Sequence, residues 1–182
     1  MRHIIFCVGI VTWGLWSSCS STTQTPDEGK GPVYVGPQVG DTLVVHADQL
    51  SQLNSLSDTE KSEVLSYKIF SWIKADCSSC ALKFKRWMEF RQNDQITGAY
   101  TLYPIVYASS RDMVEYTIED IIHYPYSVYY DSTNHFFEEN RLSEDGYYQT
   151  FLVDPHNKIL AIGDPNLDNS YFNTYKRIIN GE

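Results

Sequence analysis

From about Gly40 onward, apolar positions follow two different spacings along the chain. Runs of strand length carry apolar residues at every second position or without interruption, and they alternate with segments in which apolar residues recur every three or four positions. The first spacing is typical of β-strands and the second of amphipathic helices. Together they predict an α/β domain over 41–182. Strands are predicted at Thr42–Val45, Leu65–Ile73, Leu102–Ala108, Ser127–Asp131, Gln149–Asp154 and Lys158–Gly163. Helices are predicted from Ser78 or Ser79 to Arg91, and at Asp112–Tyr124, Thr133–Asn140 and Asp168–Asn180. Ser132 or Thr133 is the predicted N-cap of the third helix.

The segment Leu65–Ile73 is predicted to be a central strand. Ile69 and Ile73 share one of its faces, and Phe70 and Trp72 lie on the other. Apolar residues on both faces are typical of a strand that is covered on both sides.

The helix that follows has one apolar stripe, formed by Ala81, Phe84, Trp87 and Met88. This stripe is expected to face the sheet. Three basic side chains lie mainly off this stripe: Lys83, Lys85 and Arg86. They are predicted to be solvated, and the alternative is that they stabilise a nearby thiolate.

The N-terminus has the layout of a secretory signal. Arg2 precedes the apolar stretch Ile4–Trp16, and small residues lead into Cys19. The apolar stretch is shorter than the roughly 20 residues that a membrane-spanning helix needs. The end of this leader resembles a bacterial lipobox, which implies removal of 1–18 and lipidation of Cys19, with ordinary signal-peptide cleavage as the alternative. The expected location is the cell envelope, with a lipid anchor in the membrane and the domain facing the periplasm.

The composition predicts a flexible tether, and the net charge argues against one class of partner. Residues 19–40 are rich in Ser, Thr, Gln, Gly and Pro, so they are expected to remain a flexible tether. The whole chain has a formal net charge of -9 from 14 basic and 23 acidic residues. This acidic balance argues against a nucleic-acid partner.

The four cysteines lie in three different sequence contexts. Cys7 lies in the leader and Cys19 is assigned to lipid, which leaves Cys77 and Cys80 as a C-x-x-C pair between a strand and a helix. A helix N-terminus favours an anion and therefore lowers the pKa of the first cysteine. The second cysteine is placed to resolve a mixed disulfide. We therefore predict Cys77 as the nucleophile and Cys80 as the resolving thiol, with protein disulfides or a redox protein as partner and no metal or organic cofactor.

The chain has a predicted strand before Cys77, the C-x-x-C pair, a helix with Trp87, and final strands followed by a helix. In this order of elements it resembles the thioredoxin-like fold over about 42–180. The extra strand and helix at Ser127–Asn140 resemble the insertion of the TlpA and redoxin branch of envelope lipoproteins. This resemblance implies a three-layer sandwich around a central mixed sheet of four or five strands, and thiol-disulfide exchange at the cysteine pair.

Two positions depart from the usual pattern of that fold. Its enzymes usually have Pro-Thr at the substrate-binding position, where this chain has Gln149 and Thr150. Asp76 directly precedes Cys77, and its negative charge opposes formation of the thiolate. These departures favour the alternative of a non-catalytic binding module in which the two cysteines form a structural disulfide.

Other candidate sites receive simpler interpretations. A zinc site at the cysteines needs two more ligands, and His123, His135 and His156 are isolated in the sequence. Asp164–Asn169 resembles the start of a calcium loop but lacks its glycine, so a turn and helix cap are expected. Many tyrosines lie between Tyr100 and Tyr148, where packing is expected and a recognition surface near the cysteines is the alternative.

Overall fold

The computed structural model describes residues 36–53, 67–76 and 79–182. The predicted leader, the predicted lipidation site Cys19, most of the predicted tether and the predicted nucleophile Cys77 lie outside these described residues. The described residues belong to one compact unit, Tyr34–Glu182. Among their helices, none has the length and hydropathy to cross a membrane.

The elements follow the predicted order closely. The strands are β1 (Ser51–Gln52), β2 (Tyr67–Lys74), β3 (Tyr100–Tyr107), β4 (Tyr129–Tyr130), β5 (Thr150–Val153) and β6 (Ile159–Ile162). The helices are α1 (Ser79–Arg91), α2 (Arg111–Tyr116), α3 (His135–Glu139) and α4 (Asn169–Asn180). α2 continues as a π-helical segment, Thr117–Ile122, and short 3₁₀ turns occur at Ala47–Gln49 and Gly146–Tyr148.

The strands form a mixed sheet in the order β1-β4-β3-β2-β5-β6. β2 pairs in parallel with β3 and antiparallel with β5, so the prediction of a central strand is confirmed. β5 and β6 pair antiparallel, as expected for the predicted hairpin. Among the described residues the sheet has six strands rather than the expected four or five, because the two-residue strand β1 pairs with β4 at one edge.

Two hydrophobic clusters cover the two faces of this sheet. Ile69 and Ile73 belong to the cluster that also contains buried residues of α1, α2 and α4. Phe70 and Trp72 belong to the opposite cluster, which contains residues of α3 and Leu43. The predicted three-layer α/β arrangement is therefore confirmed. Each large apolar side chain buried in these layers stabilises the fold by about 1.5–3 kcal/mol.

Two local predictions are wrong. Thr42–Val45 is not a strand, since Thr42 forms only an isolated bridge to Lys158. Neither Ser132 nor Thr133 caps α3. Instead, the buried Asp131 accepts a hydrogen bond from the Phe136 amide at 2.7 Å. The carboxylate can do this because Asn134 adopts a left-handed conformation, with φ 58°, and turns the chain back over it.

Candidate active site

The central strand β2 and the helix α1 position the second cysteine. β2 ends at Lys74, and the next amide, that of Ala75, donates to the Tyr107 carbonyl at 2.9 Å. α1 begins at Ser79, so Cys80 lies in its first turn. Cys80 is buried, with its Sγ 3.9 Å from the carbonyl oxygen of Ala75. The predicted central strand and the helix that follows it are therefore present, with Cys80 in the first turn of that helix.

A cleft of about 510 Å³ opens on one side of Cys80. Its lining is mainly apolar and includes Ala108, Met113 and Ile121, and the last two side chains are largely exposed. These exposed side chains form an apolar patch beside the buried cysteine.

Asp76 lies on the wall of this first cleft. Its Oδ1 accepts hydrogen bonds from the Ser109 amide at 2.8 Å and from the Ser109 hydroxyl at 2.7 Å. These hydrogen bonds, with a smaller contribution from the charge of Lys74, lower the pKa of Asp76 below its ordinary value. The carboxylate is therefore ionised at neutral pH and ties the end of β2 to the end of β3.

A second cleft, of about 330 Å³, opens on the other side of Cys80 and contains Lys83, Gln149 and Asp164. Lys83 Nζ donates to the Trp72 carbonyl at 2.9 Å and lies 4.0 Å from Asp164 Oδ2. The Lys83 side chain is only 20% exposed, and burial lowers its pKa, an effect that the charge of Asp164 opposes.

The prediction that Lys83 lies on a solvated helix face is therefore wrong. The helical spacing identified the apolar stripe correctly, but Asp164, which follows β6 in the chain, lies 4.0 Å from the Lys83 ammonium. Lys85 is exposed as predicted, and Arg86 is partly buried at the edge of the second cleft.

Asp164 is a site residue that the sequence reasoning did not assign. Its Oδ1 accepts hydrogen bonds from the backbone and the side chain of Asn166, at 2.9 and 3.0 Å. Asp168 caps α4 by accepting from the Ser170 amide at 2.6 Å, which confirms the interpretation as a turn and helix cap. Nothing in the spacing of Lys83 and Asp164 along the chain signals their contact.

The comparisons with known proteins agree with this architecture. No protein-family model matches the chain, and no curated protein matches it. Among solved structures, a thioredoxin-like protein in its oxidised form superimposes with a TM-score of 0.53 at 10% identity, covering 80% of this chain and 99% of that one. The chain has a thioredoxin-like fold.

Two other solved structures are similar to this thioredoxin-like chain over a shorter part. The thioredoxin domain of a thiol-disulfide oxidoreductase from Bacteroides vulgatus matches with a TM-score of 0.45 at 18% identity, over 63% of this chain and 79% of that one. A thiol:disulfide interchange protein from Bacteroides sp. matches with a TM-score of 0.42 at 20% identity, over 65% of this chain and 76% of that one.

The two predicted substrate-binding residues of the thioredoxin-like fold have different surroundings. Gln149 lines the second cleft, and its Nε2 donates to the Ser143 carbonyl at 3.0 Å. Thr150 is fully buried, and its hydroxyl lies 3.1 Å from that of Ser71 within the sheet. Of the pair, only the Gln149 side chain borders the same space as Cys80.

The tyrosines between Tyr100 and Tyr148 mostly pack. Tyr124 and Tyr130 are buried in the first cluster, and Tyr103 and Tyr129 pack against the second. Within the part of the chain that the structure describes, no tyrosine lines either cleft beside Cys80. The packing interpretation therefore accounts for these residues better than a recognition surface at the cysteines.

Proposed function

We propose that this protein is a thiol-disulfide oxidoreductase that exchanges disulfides with other proteins through Cys77 and Cys80. The observation that carries the proposal is the place of Cys80. It is buried in the first turn of α1, directly after the central strand of a thioredoxin-like fold, with a cleft on each side. In the sequence, Cys77 precedes it by the spacing of a C-x-x-C pair.

The proposed exchange runs in two balanced steps. The Cys77 thiolate attacks one sulfur of a partner disulfide, a mixed disulfide forms, and the other partner sulfur leaves as a thiolate. The Cys80 thiolate then attacks the Cys77 sulfur, which releases the second partner thiolate and closes the Cys77–Cys80 disulfide. The partner gains two electrons, the pair loses two, and the released thiolates take protons from water. The reverse sequence oxidises a partner dithiol.

The surroundings of Cys80 support a protein substrate. The apolar first cleft, with Met113 and Ile121 at its rim, suits an extended peptide that presents a cysteine. In the second cleft, Lys83 follows Cys80 by one turn of α1, so its ammonium shares a face with the resolving thiol. A nearby cation favours the thiolate that the second step requires.

We further propose that the domain works at a membrane surface of the cell envelope, as a member of the TlpA and redoxin branch. The support comes from the sequence alone: a signal-like segment over 1–18, a lipobox-like ending at Cys19 and a polar tether over 19–40. Metabolic labelling of the expressed protein with a radioactive fatty acid tests the anchor. Label is expected in the wild type and not in a Cys19→Ala variant, and label in that variant would contradict lipidation at Cys19.

The test of the exchange reaction is substrate trapping. A Cys80→Ser variant retains the nucleophile but cannot resolve the mixed disulfide, so disulfide-linked partners should accumulate on non-reducing gels. The matched control is the Cys77→Ser, Cys80→Ser double variant, which should trap nothing. The wild type should reduce a model protein disulfide, and both variants should lose that activity. If the wild type reduces no model disulfide and Cys80→Ser traps no partner, the proposal is wrong.

The second candidate is a non-catalytic binding module, and Gln149 is the observation that favours it. Gln149 is predicted to stand where enzymes of this fold usually have proline, and its side chain donates to the Ser143 carbonyl. The reduction potential of the Cys77–Cys80 pair separates the two candidates, because structural disulfides have potentials below about −300 mV. A potential in the range of thioredoxins, about −270 mV or higher, supports the oxidoreductase.

Asp76 is expected to slow the reaction of Cys77 with electrophiles. Its ionised carboxylate repels a thiolate on the next residue, so Asp76→Asn should raise the rate of Cys77 alkylation at neutral pH about twofold, as expected for ~0.5 kcal/mol of repulsion in high dielectric. Asn retains an oxygen that accepts from Ser109. Iodoacetamide labelling of the reduced protein measures the rate, with the exposed Asp94→Asn as control. Equal rates in all three proteins would show that the charge of Asp76 has no influence.

A further inference from the structure

Two histidines and a glutamate converge on the face of the sheet opposite to Cys80. Glu139 Oε2 lies 2.8 Å from His46 Nε2 and 2.8 Å from His135 Nε2. One ligand atom from each of the three residues lies within 4.8 Å of the other two. Cys80 belongs to the hydrophobic cluster on the other face of the sheet, so this group is separate from the candidate active site.

The backbone holds these three side chains together. His135 and Glu139 are the first and last residues of α3, and their spacing of four positions places them on one face of the helix. The segment carrying His46 is fixed to the end of α3 by two hydrogen bonds. The Val44 amide donates to Asn140 Oδ1 at 2.8 Å, and Asn140 Nδ2 donates to the Val44 carbonyl at 2.9 Å.

Asp131 lines the same shallow depression but is committed to other contacts. Its Oδ2 accepts from the Phe136 amide at 2.7 Å, and its Oδ1 accepts from the Thr133 amide and hydroxyl, both at 3.3 Å. The carboxylate is fully buried and serves the start of α3. The donor set of the cluster is therefore two imidazole nitrogens and one carboxylate.

We propose that His46, His135 and Glu139 bind a zinc ion, with solvent completing the coordination. Two histidines and one carboxylate are an established protein donor set for Zn²⁺ with an open fourth position. Side-chain exposures of 42% for His46, 41% for His135 and 35% for Glu139 leave room for that solvent ligand. Ligand atoms around tetrahedral zinc are about 3.3 Å apart, so side-chain rotations that open the 2.8 Å contacts by about half an ångström admit the ion.

Zinc at this position would join two parts of the domain. His46 belongs to the described segment 36–53, and the other two ligands belong to α3. A bound ion would add a cross-link between that segment and the helix, next to the two hydrogen bonds of Asn140. Zinc should therefore stabilise the folded domain, because it binds the assembled ligands more tightly than the unfolded chain.

Titration of the full-length chain with Zn²⁺ tests the proposal. The protein carries no histidine tag and is oxidised beforehand, so that thiols do not compete. Calorimetry should show one Zn²⁺ bound per chain, and zinc in large excess over Kd should raise the melting temperature by several degrees. His46→Asn, His135→Asn and Glu139→Gln should each weaken binding by at least about 10-fold, since even loss of an outer-shell partner has an effect of that order.

The controls separate this cluster from other zinc ligands. His156→Asn changes an exposed histidine in the β5–β6 turn and should leave affinity unchanged. The Cys77→Ser, Cys80→Ser double variant should also bind normally. Melting temperatures in EDTA check that every variant is folded. The proposal is overturned if the wild type binds no zinc, if a His46→Asn, His135→Asn double variant binds like the wild type, or if binding disappears with the cysteines.

Discussion

Replacing Gly98 with alanine is expected to destabilise the domain by about 3 kcal/mol, at the upper end of the range for overpacking. A Cβ built on Gly98 overlaps the carbonyl oxygen of Ile179 and stands 2.7 Å from its carbonyl carbon. Both are backbone atoms of α4, so no side-chain rotation relieves the clash. The Gly98 amide also donates to Asn180 Oδ1 at 3.2 Å, which holds the two segments together. Urea unfolding of the variant and the wild type measures the difference.

Gly146→Ala is the matched control. The nearest atom to a Cβ at this position is Gln149 Oε1, 3.9 Å away, so the methyl group fits without displacement. Its effect should be within about 0.5 kcal/mol, as for ordinary surface substitutions. Equal stabilities of the two alanine variants would contradict the close contact between Gly98 and α4.

Asp164→Asn is expected to cost about 3 kcal/mol, because it leaves the Lys83 ammonium buried without a counter-charge. The side chain of Asp164 is 2% exposed and that of Lys83 20%, so water screens their attraction weakly. Urea unfolding at neutral pH measures the loss. A Lys83→Met, Asp164→Asn double variant removes the unpaired charge and should recover much of the lost stability. The control adds Lys85→Met, at an exposed position, to Asp164→Asn and should recover none of that stability.

The loss caused by Asp164→Asn should also depend on pH. Burial already lowers the pKa of Lys83 from 10.5, and removal of the Asp164 charge lowers it further. A lysine whose pKa is lower when folded binds fewer protons in the native state, so the stability of the variant rises with pH through that range. The deficit relative to the wild type should therefore shrink toward alkaline pH. A constant deficit, unchanged by Lys83→Met, would assign the role of Asp164 to its hydrogen bonds with Asn166.

Most of the fold could be predicted because its signals are local. The apolar residues on both faces of β2 identified the central strand, and the spacing of Phe84 and Trp87 identified the buried face of α1. Errors arose where a distant contact decided the local structure. Thr42–Val45 has the composition of a strand, but only Thr42 bridges to Lys158. At α3, a left-handed Asn134 and the buried Asp131 replaced the expected cap.

In the candidate site, too, local patterns could be predicted and contacts with distant segments could not. A C-x-x-C pair between strand and helix is a local pattern, and the structure has Cys80 in the first turn of α1, as that pattern predicted. The contact between Lys83 and Asp164 has no such pattern, because a charged residue gives no sign of the distant segment that covers it. Likewise, His46 and His135 lie far apart along the chain, so no local pattern signals their approach.

The order of the main elements, the central position of β2 and the start of a helix at the cysteine motif could be predicted from the sequence. These features follow from the periodicity of apolar residues and from helix-end chemistry, both of which act over a few residues. The contacts between polar groups are visible only in the folded chain: Lys83 with Asp164, Asp76 with Ser109, and Glu139 with two histidines. They could not be predicted because polar side chains take their partners from whatever segment the packed apolar layers bring beside them.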